Sequence, residues 1–174
     1  MSKEPRLWGV RCGILTASDR VSKGEAHDDS GVYLAGTLRA EGAEVAANVV
    51  LPDDIEEIAK ALEHMADSLR LDIVLTTGGS GVAARDVTPE ATLRVLERQV
   101  PGIPEAARIA TAARTPLAML SRAVAGIRGR TLIINLPGSP KAVREWMEVI
   151  LPVLRHAIAL LQDRPSEWGR EHRP

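Results

Sequence analysis

The chain has no phenylalanine and one tyrosine, and aromatic residues make up only 2% of its 174 positions. Its core must therefore be built from Ala, Val, Leu and Ile. The single cysteine, Cys12, excludes an internal disulfide framework and a multi-cysteine metal centre. It stands in an apolar run and reads as a small buried hydrophobe. Neither charge sign dominates: the formal net charge is −1, so there is no bulk drive toward nucleic acid or an anionic membrane. Any anion site must be local. The apolar runs are strand-sized, too short to span a bilayer. The opening MSKEPRLWGV lacks the apolar core of a signal peptide. A cytoplasmic protein with no membrane or nucleic-acid partner is expected. Amide side chains are scarce and arginine outnumbers lysine, which fits a thermophilic source or a GC-rich genome alike. His27, His64, His156 and His172 are scattered without metal-ligand spacing, and no Ser-His-Asp or Cys-His set can be assembled.

What is present is a regular alternation. Apolar runs at 8–15, 43–51, 71–76 and 131–136 predict strands. Helical spacing predicts helices over 32–42, 54–69, 88–98 and 139–161, with 101–121 partly helical and broken by Pro104 and Pro116. The segment 16–31 is polar and reads as a loop. This pattern predicts one three-layer α/β/α, Rossmann-like domain with a mostly parallel sheet. The domain takes in residues 1–174, with a core over about 8–161 and a polar tail over 162–174.

In such sheets ligands bind beyond the carboxyl ends of the strands. Three loops there carry unusual chemistry: 16–31, 76–88 and 136–141. Residues 79–84 match G-x-G-x-x-A, but the helix signal Thr88-Pro89 comes too late for a dinucleotide fingerprint, and no G-K-[ST] follows for a P-loop. The glycines still allow backbone N–H groups to approach an anion closely. Asp86 in the same loop points to Mg²⁺, which bridges carboxylates and phosphate oxygens. Arg85 offers a complementary charge or is simply solvated. Of Asp53 and Asp54, one is expected to cap the next helix, and Asp54 with Glu57 fits a capping box. Thr88 is expected to cap the helix after the glycine loop. Ser139 and Lys141 combine a cap, a helix N-terminus and a cation, which reads equally as an anion site or an ordinary helix start.

The segments ILTASDR, LPDD, LTTGGSGVAARDVTPEAT and PLAMLSRAVAGIRGRTLIINLPGSPKAV occur in one order and spacing. Over residues 8–161 they resemble the MogA/MoaB family of molybdenum cofactor biosynthesis, and they are similar to the G domains of gephyrin and its plant counterpart. The resemblance implies a molybdopterin adenylyltransferase: ATP and molybdopterin give adenylyl-molybdopterin and pyrophosphate, with Mg²⁺ required. It also implies a homotrimer and transient contact with other proteins of the pathway. Asp53 and Asp86 occupy the family's two acidic positions and are the expected catalytic and metal-binding residues. Ser18, Asp19, Thr77, Gly78, Gly79, Ser80, Gly81, Arg85, Pro137, Gly138, Ser139 and Lys141 complete the expected substrate- and nucleotide-binding set. The family's usual GGTG is GGSG here, which keeps a hydroxyl at position 80. The alternatives are a MoaB-type paralogue that binds molybdopterin without catalysis, a pathway scaffold, or a nucleotide hydrolase on the same architecture.

Overall fold

A computed structural model describes residues 5–164. The expected tail beyond Arg164 lies outside the described residues. The elements run β1 (Arg11–Ala17), α1 (Asp19–Ser22), α2 (Asp29–Ala40), β2 (Glu44–Leu51), α3 (Ile55–Glu63), β3 (Ile73–Thr77), α4 (Thr88–Val95), β4 (Arg98–Gln99), α5 (Gly102–Ala112), β5 (Ala125–Arg128), β6 (Thr131–Leu136) and α6 (Pro140–Leu161). A π-helical turn, His64–Ser68, extends α3, and a 3₁₀ turn, Pro116–Leu120, follows α5.

The six strands form one sheet in the order β2-β1-β3-β6-β5-β4. The first four are mutually parallel, and β5 and β4 add an antiparallel edge. Strands β1, β3 and β6 are buried along almost their whole length because helices cover both faces. Their side chains alternate between two cores. Cys12, Ile14, Ile73, Leu75, Ile134 and Leu136 face α2, α5 and α6. Leu15, Ala17, Val74 and Ile133 face α3 and α4. The three layers are those expected.

Register places the site. Thr16 pairs with Val50 and Thr77, and Thr77 pairs with Leu136, so four parallel strands end at one edge. The chain leaves β1 for its neighbour on one side, then returns to β3 on the other. Loops after β1 and β3 therefore diverge at a switch in strand order, where such sheets open a crevice.

Several details depart from expectation. Segment 16–31 is no simple loop: it contains α1 and the start of α2. Asp28 caps α2 by accepting from the Gly31 N–H at 2.9 Å. Gly31 belongs inside this turn, because a Cβ there would fall 2.1 Å from Asp28 Oδ2. Pro104 does not break α5; it sits in the first turn, where no intrahelical donor is needed. The short strands β4 and β5 add to the four expected from the sequence.

Cys12 is fully buried, and burial, with Asp72 nearby, pushes its thiol up to about 12. It should resist thiol reagents in the native state and react only at the rate of global unfolding. Fast labelling of native protein would contradict its place in the sheet.

Candidate active site

At the carboxyl edge, the glycine loop 78–87 passes between two cavities. The first, about 250 Å³, opens among the ends of β1, β2 and β3 and is lined by Ser18, Asp19, Asp53, Thr77, Gly78, Arg85 and Asp86, among others. The second, about 420 Å³, lies toward α5, the 3₁₀ turn and α6. Ser80, Gly81, Pro137, Ser139, Lys141 and Trp146 are among its walls. Gly79, Asp86 and Gly138 line both. Every site residue expected from the sequence thus borders one cavity or the other.

Local packing explains why the loop is glycine-rich. Gly78 has φ +89°, and a Cβ there would fall 2.2 Å from the Ala17 carbonyl oxygen. Gly79 has φ +60°, and its Cβ would press on Thr88 Oγ1 at 2.4 Å and Asp53 Oδ1 at 3.1 Å. Only a bare backbone can pass here. The loop is pinned by hydroxyls. Thr77 donates to the Pro137 carbonyl at 2.7 Å, and Ser80 donates to the Leu136 carbonyl at 3.2 Å. The Ser80 hydroxyl proton is therefore committed to the backbone. Thr88 is not the cap of α4; its hydroxyl donates to the Gly78 carbonyl at 2.9 Å, and α4 has no side-chain cap. Beneath the loop, buried Asn135 donates to Thr76 at 3.0 Å and Thr92 at 2.8 Å, tying β6 to β3 and α4.

The two neighbouring aspartates divide their work. Asp54 caps α3 by accepting from the Glu57 N–H at 2.9 Å. Asp53 is free of that duty. Its Oδ2 accepts from the Asp19 N–H at 3.1 Å, and Asp19 Oδ1 accepts in return from the Asp53 N–H at 3.1 Å. This exchange joins the loops after β1 and β2. Asp53 Oδ1 is buried without a hydrogen-bond partner. Burial raises the Asp53 carboxyl above its ordinary range, and the charges of Asp19 and Asp86 push the same way against the Asp19 N–H and Arg85. Asp86 Oδ2 accepts from the Ala83 N–H at 2.8 Å.

A buried, unpartnered carboxylate oxygen with a raised pKa suits a cation ligand. No group of three or more His, Cys, Asp or Glu side chains that could hold a metal exists among the described residues. Asp53 and Asp86 could hold a cation such as Mg²⁺, which takes one or two carboxylates and completes its shell with phosphate and water.

At the start of α6, Ser139 Oγ accepts from the Ala142 N–H at 3.3 Å, a working cap. Exposed Lys141 lines the second cavity beside it. Sequence reasoning missed Asp28, Ser30 and His27 in the first cavity, and Thr111, Thr115 and Trp146 in the second. Trp146 is 1% exposed and belongs to the core, so it backs the second cavity as packing.

The family model described as "Probable molybdopterin binding domain" matches residues 13–156. Gephyrin from Dictyostelium discoideum is 44% identical over 98% of this chain, which spans 25% of that protein. The molybdopterin adenylyltransferase of Helicobacter pylori J99 is 40% identical over 87% of this chain and 88% of its own. The crystal structure of the molybdopterin biosynthesis enzyme MoaB from Thermus thermophilus matches with a TM-score of 0.85 at 49% identity, over 90% of this chain and 98% of that one. With this site at this sheet edge, and a family model spanning most of its length, the chain belongs to the MogA/MoaB family of molybdenum cofactor biosynthesis proteins.

Proposed function

We propose that the protein adenylylates molybdopterin with ATP. One observation carries this reading: two adjoining cavities share a wall of Gly79, Asp86 and Gly138, beside the orphaned oxygen of Asp53. That is an arrangement for two anions held side by side with a cation between them. The acidic first cavity suits a metal-bound triphosphate. The second, with Lys141 and the α6 N-terminus, suits the molybdopterin phosphate.

In the reaction a molybdopterin phosphate oxygen forms a bond to the α-phosphorus of ATP. The bond between that phosphorus and the α–β bridging oxygen breaks, and pyrophosphate leaves with the electron pair. The attacking phosphate is already largely ionised near neutral pH. No general base or enzyme nucleophile is required. The protein's work is alignment and charge neutralisation. Glycine-loop N–H groups would approach the phosphates, and Asp53 and Asp86 would hold Mg²⁺. When bound, Mg²⁺ neutralises phosphate charge. Omitting ATP, Mg²⁺ or molybdopterin in turn should each abolish adenylyl-molybdopterin formation. Product formed without Mg²⁺ would overturn the roles given to the two aspartates.

The working unit we infer is a homotrimer in the cytoplasm, open to transient contact with other proteins of the pathway. Exposed Ile109, Leu117 and Met119 supply apolar surface for self-association. Among the described residues no helix is long and apolar enough to cross a membrane. Sedimentation equilibrium should give three times the chain mass at micromolar concentration; a monomer would refute the trimer.

A further inference from the structure

Arg122 lies in the PLAMLSRAVAGIRG stretch but outside the expected site set, and it makes three hydrogen bonds to the glycine loop. It comes from the segment between the 3₁₀ turn and β5. Its backbone N–H donates to the Ser80 carbonyl at 2.8 Å. Its Nε donates to the Gly81 carbonyl at 2.6 Å, and its Nη2 donates to the Asp86 carbonyl. Nη1 and Nη2 both reach the Glu90 carboxylate in the first turn of α4. One guanidinium therefore grips the loop at both ends of the turn 81–86, and a carboxylate orients that guanidinium. Within the turn, the Ala83 N–H holds Asp86 Oδ2.

We propose that Arg122 is a positioning residue for Asp86. It sets the backbone of the turn and, through it, the aim of the Asp86 carboxylate into the two cavities. The inference rests on the metal-binding reading of Asp86 above. The planar fork of arginine suits the task, since three separate acceptors must be held at fixed relative angles. Lysine would keep the charge and lose the fork. The role is separable from folding because α4 has its own anchors. Thr88 bonds Gly78 and Gly79, Thr92 bonds Asn135, and Ala91 and Val95 pack in the core. Glu90 is held in its charged form chiefly by its bond to Arg122, so the clamp persists across the neutral range.

The test uses the full-length Arg122→Ala and Arg122→Lys variants, each in three measurements. The first is amide hydrogen exchange: protection should fall over residues 79–87 and stay unchanged in α4 beyond Thr92. The second is Mn²⁺ binding in the presence of ATP, followed by electron paramagnetic resonance. The Kd should rise about 10–100-fold, as when a group that orients a metal ligand is lost. The third is adenylylation: kcat should fall by a similar factor with little change in the molybdopterin KM, and guanidinium ion should partly restore Arg122→Ala but not Arg122→Lys. A loop that loosens while Mn²⁺ affinity stays at the wild-type value would overturn the proposal, as would unchanged exchange. If Arg122→Ala fails to fold, Arg122→Lys decides the matter alone. Wild-type protein that binds Mn²⁺ and ATP but makes no adenylylated product would defeat the proposed function, while the exchange and Mn²⁺ measurements would still decide the role of Arg122.

Discussion

Asp86→Asn should slow formation of adenylyl-molybdopterin by at least about 10²–10³-fold, with molybdopterin affinity and fold nearly unchanged. Asparagine keeps the size of the side chain, and its oxygen can still accept from the Ala83 N–H. It removes a full charge, and an amide is a poor Mg²⁺ ligand. Without the metal, triphosphate and pterin phosphate repel each other at close range. Asp53→Asn should lose activity to the same extent, because Asp54, not Asp53, caps α3.

The two variants should differ in stability. The Asp53 carboxyl titrates above its ordinary range in the folded protein, chiefly through burial. Below its unfolded-state pKa it is protonated in both states and contributes nothing. Above its folded-state pKa it is ionised in both, and the folded state carries the penalty. Asp53→Asn should therefore raise Tm at neutral pH, with the gain vanishing as pH falls below the ordinary aspartate range. Mg²⁺ with ATP should raise the Tm of wild type and leave that of Asp53→Asn unchanged. A neutral-pH Tm below wild type would mean that Asp53 is a structural tie between loops rather than a site held ready for a cation. Single-turnover kinetics at saturating ATP, beside melting curves, measures all of this.

Gly78→Ala should be nearly as damaging, for a different reason. The new Cβ would meet the Ala17 carbonyl oxygen at 2.2 Å, and neither partner is a flexible side chain. The residue must also hold a positive φ, a strain of about 1–3 kcal/mol for a residue with a side chain. Relieving the clash would push the glycine loop off the end of β1. A displacement of about 1 Å at a reacting centre costs on the order of 10²-fold in rate. Gly129→Ala is the control: it too has a positive φ of 55°, but nothing lies within 4 Å of its would-be Cβ. Gly129→Ala should lower Tm by a few degrees and spare activity, at about 2–4 °C per kcal/mol for a chain of this size. Gly78→Ala should lose both. Equal effects on activity would show that the close approach at Gly78 is unimportant to the site.

The parts of the fold legible in the sequence are those in which one stretch of chain carries the whole signal. The runs in β1, β3 and β6 are continuous and apolar because both faces are covered. The caps at Asp54 and Ser139 act within four residues of themselves. Features set by tertiary meetings were not legible. Gly31 reads as the end of a polar loop, yet it is inside α2, where Asp28 and Thr16 leave no room for a Cβ. Strand β4 is two exposed residues whose pairing with β5 leaves no periodic trace. Thr88 follows the rule for a cap, but the Gly78 carbonyl, brought near by the loop's own turn, takes its hydroxyl. Arg122 meets Gly81 across 41 residues, so its grip on the glycine loop leaves no local trace. Loops 16–31, 76–88 and 136–141 could be placed at one sheet edge from the strand pattern, whereas Asp53 joined them only through the family resemblance. The exchange of hydrogen bonds between Asp53 and Asp19, and the second cavity, needed the folded chain.

Adenylyl transfer joins two anions held in adjoining cavities. The most direct test is a single turnover with purified protein, Mg²⁺ and molybdopterin, run in parallel with ATP labelled at the α- or the γ-phosphorus. The α label should appear in the pterin product and the γ label in pyrophosphate, in equal amounts and at equal rates. Release of the γ label as inorganic phosphate would identify a hydrolase. Tight molybdopterin binding with neither label transferred would identify a binding protein, and either result would refute adenylyl transfer.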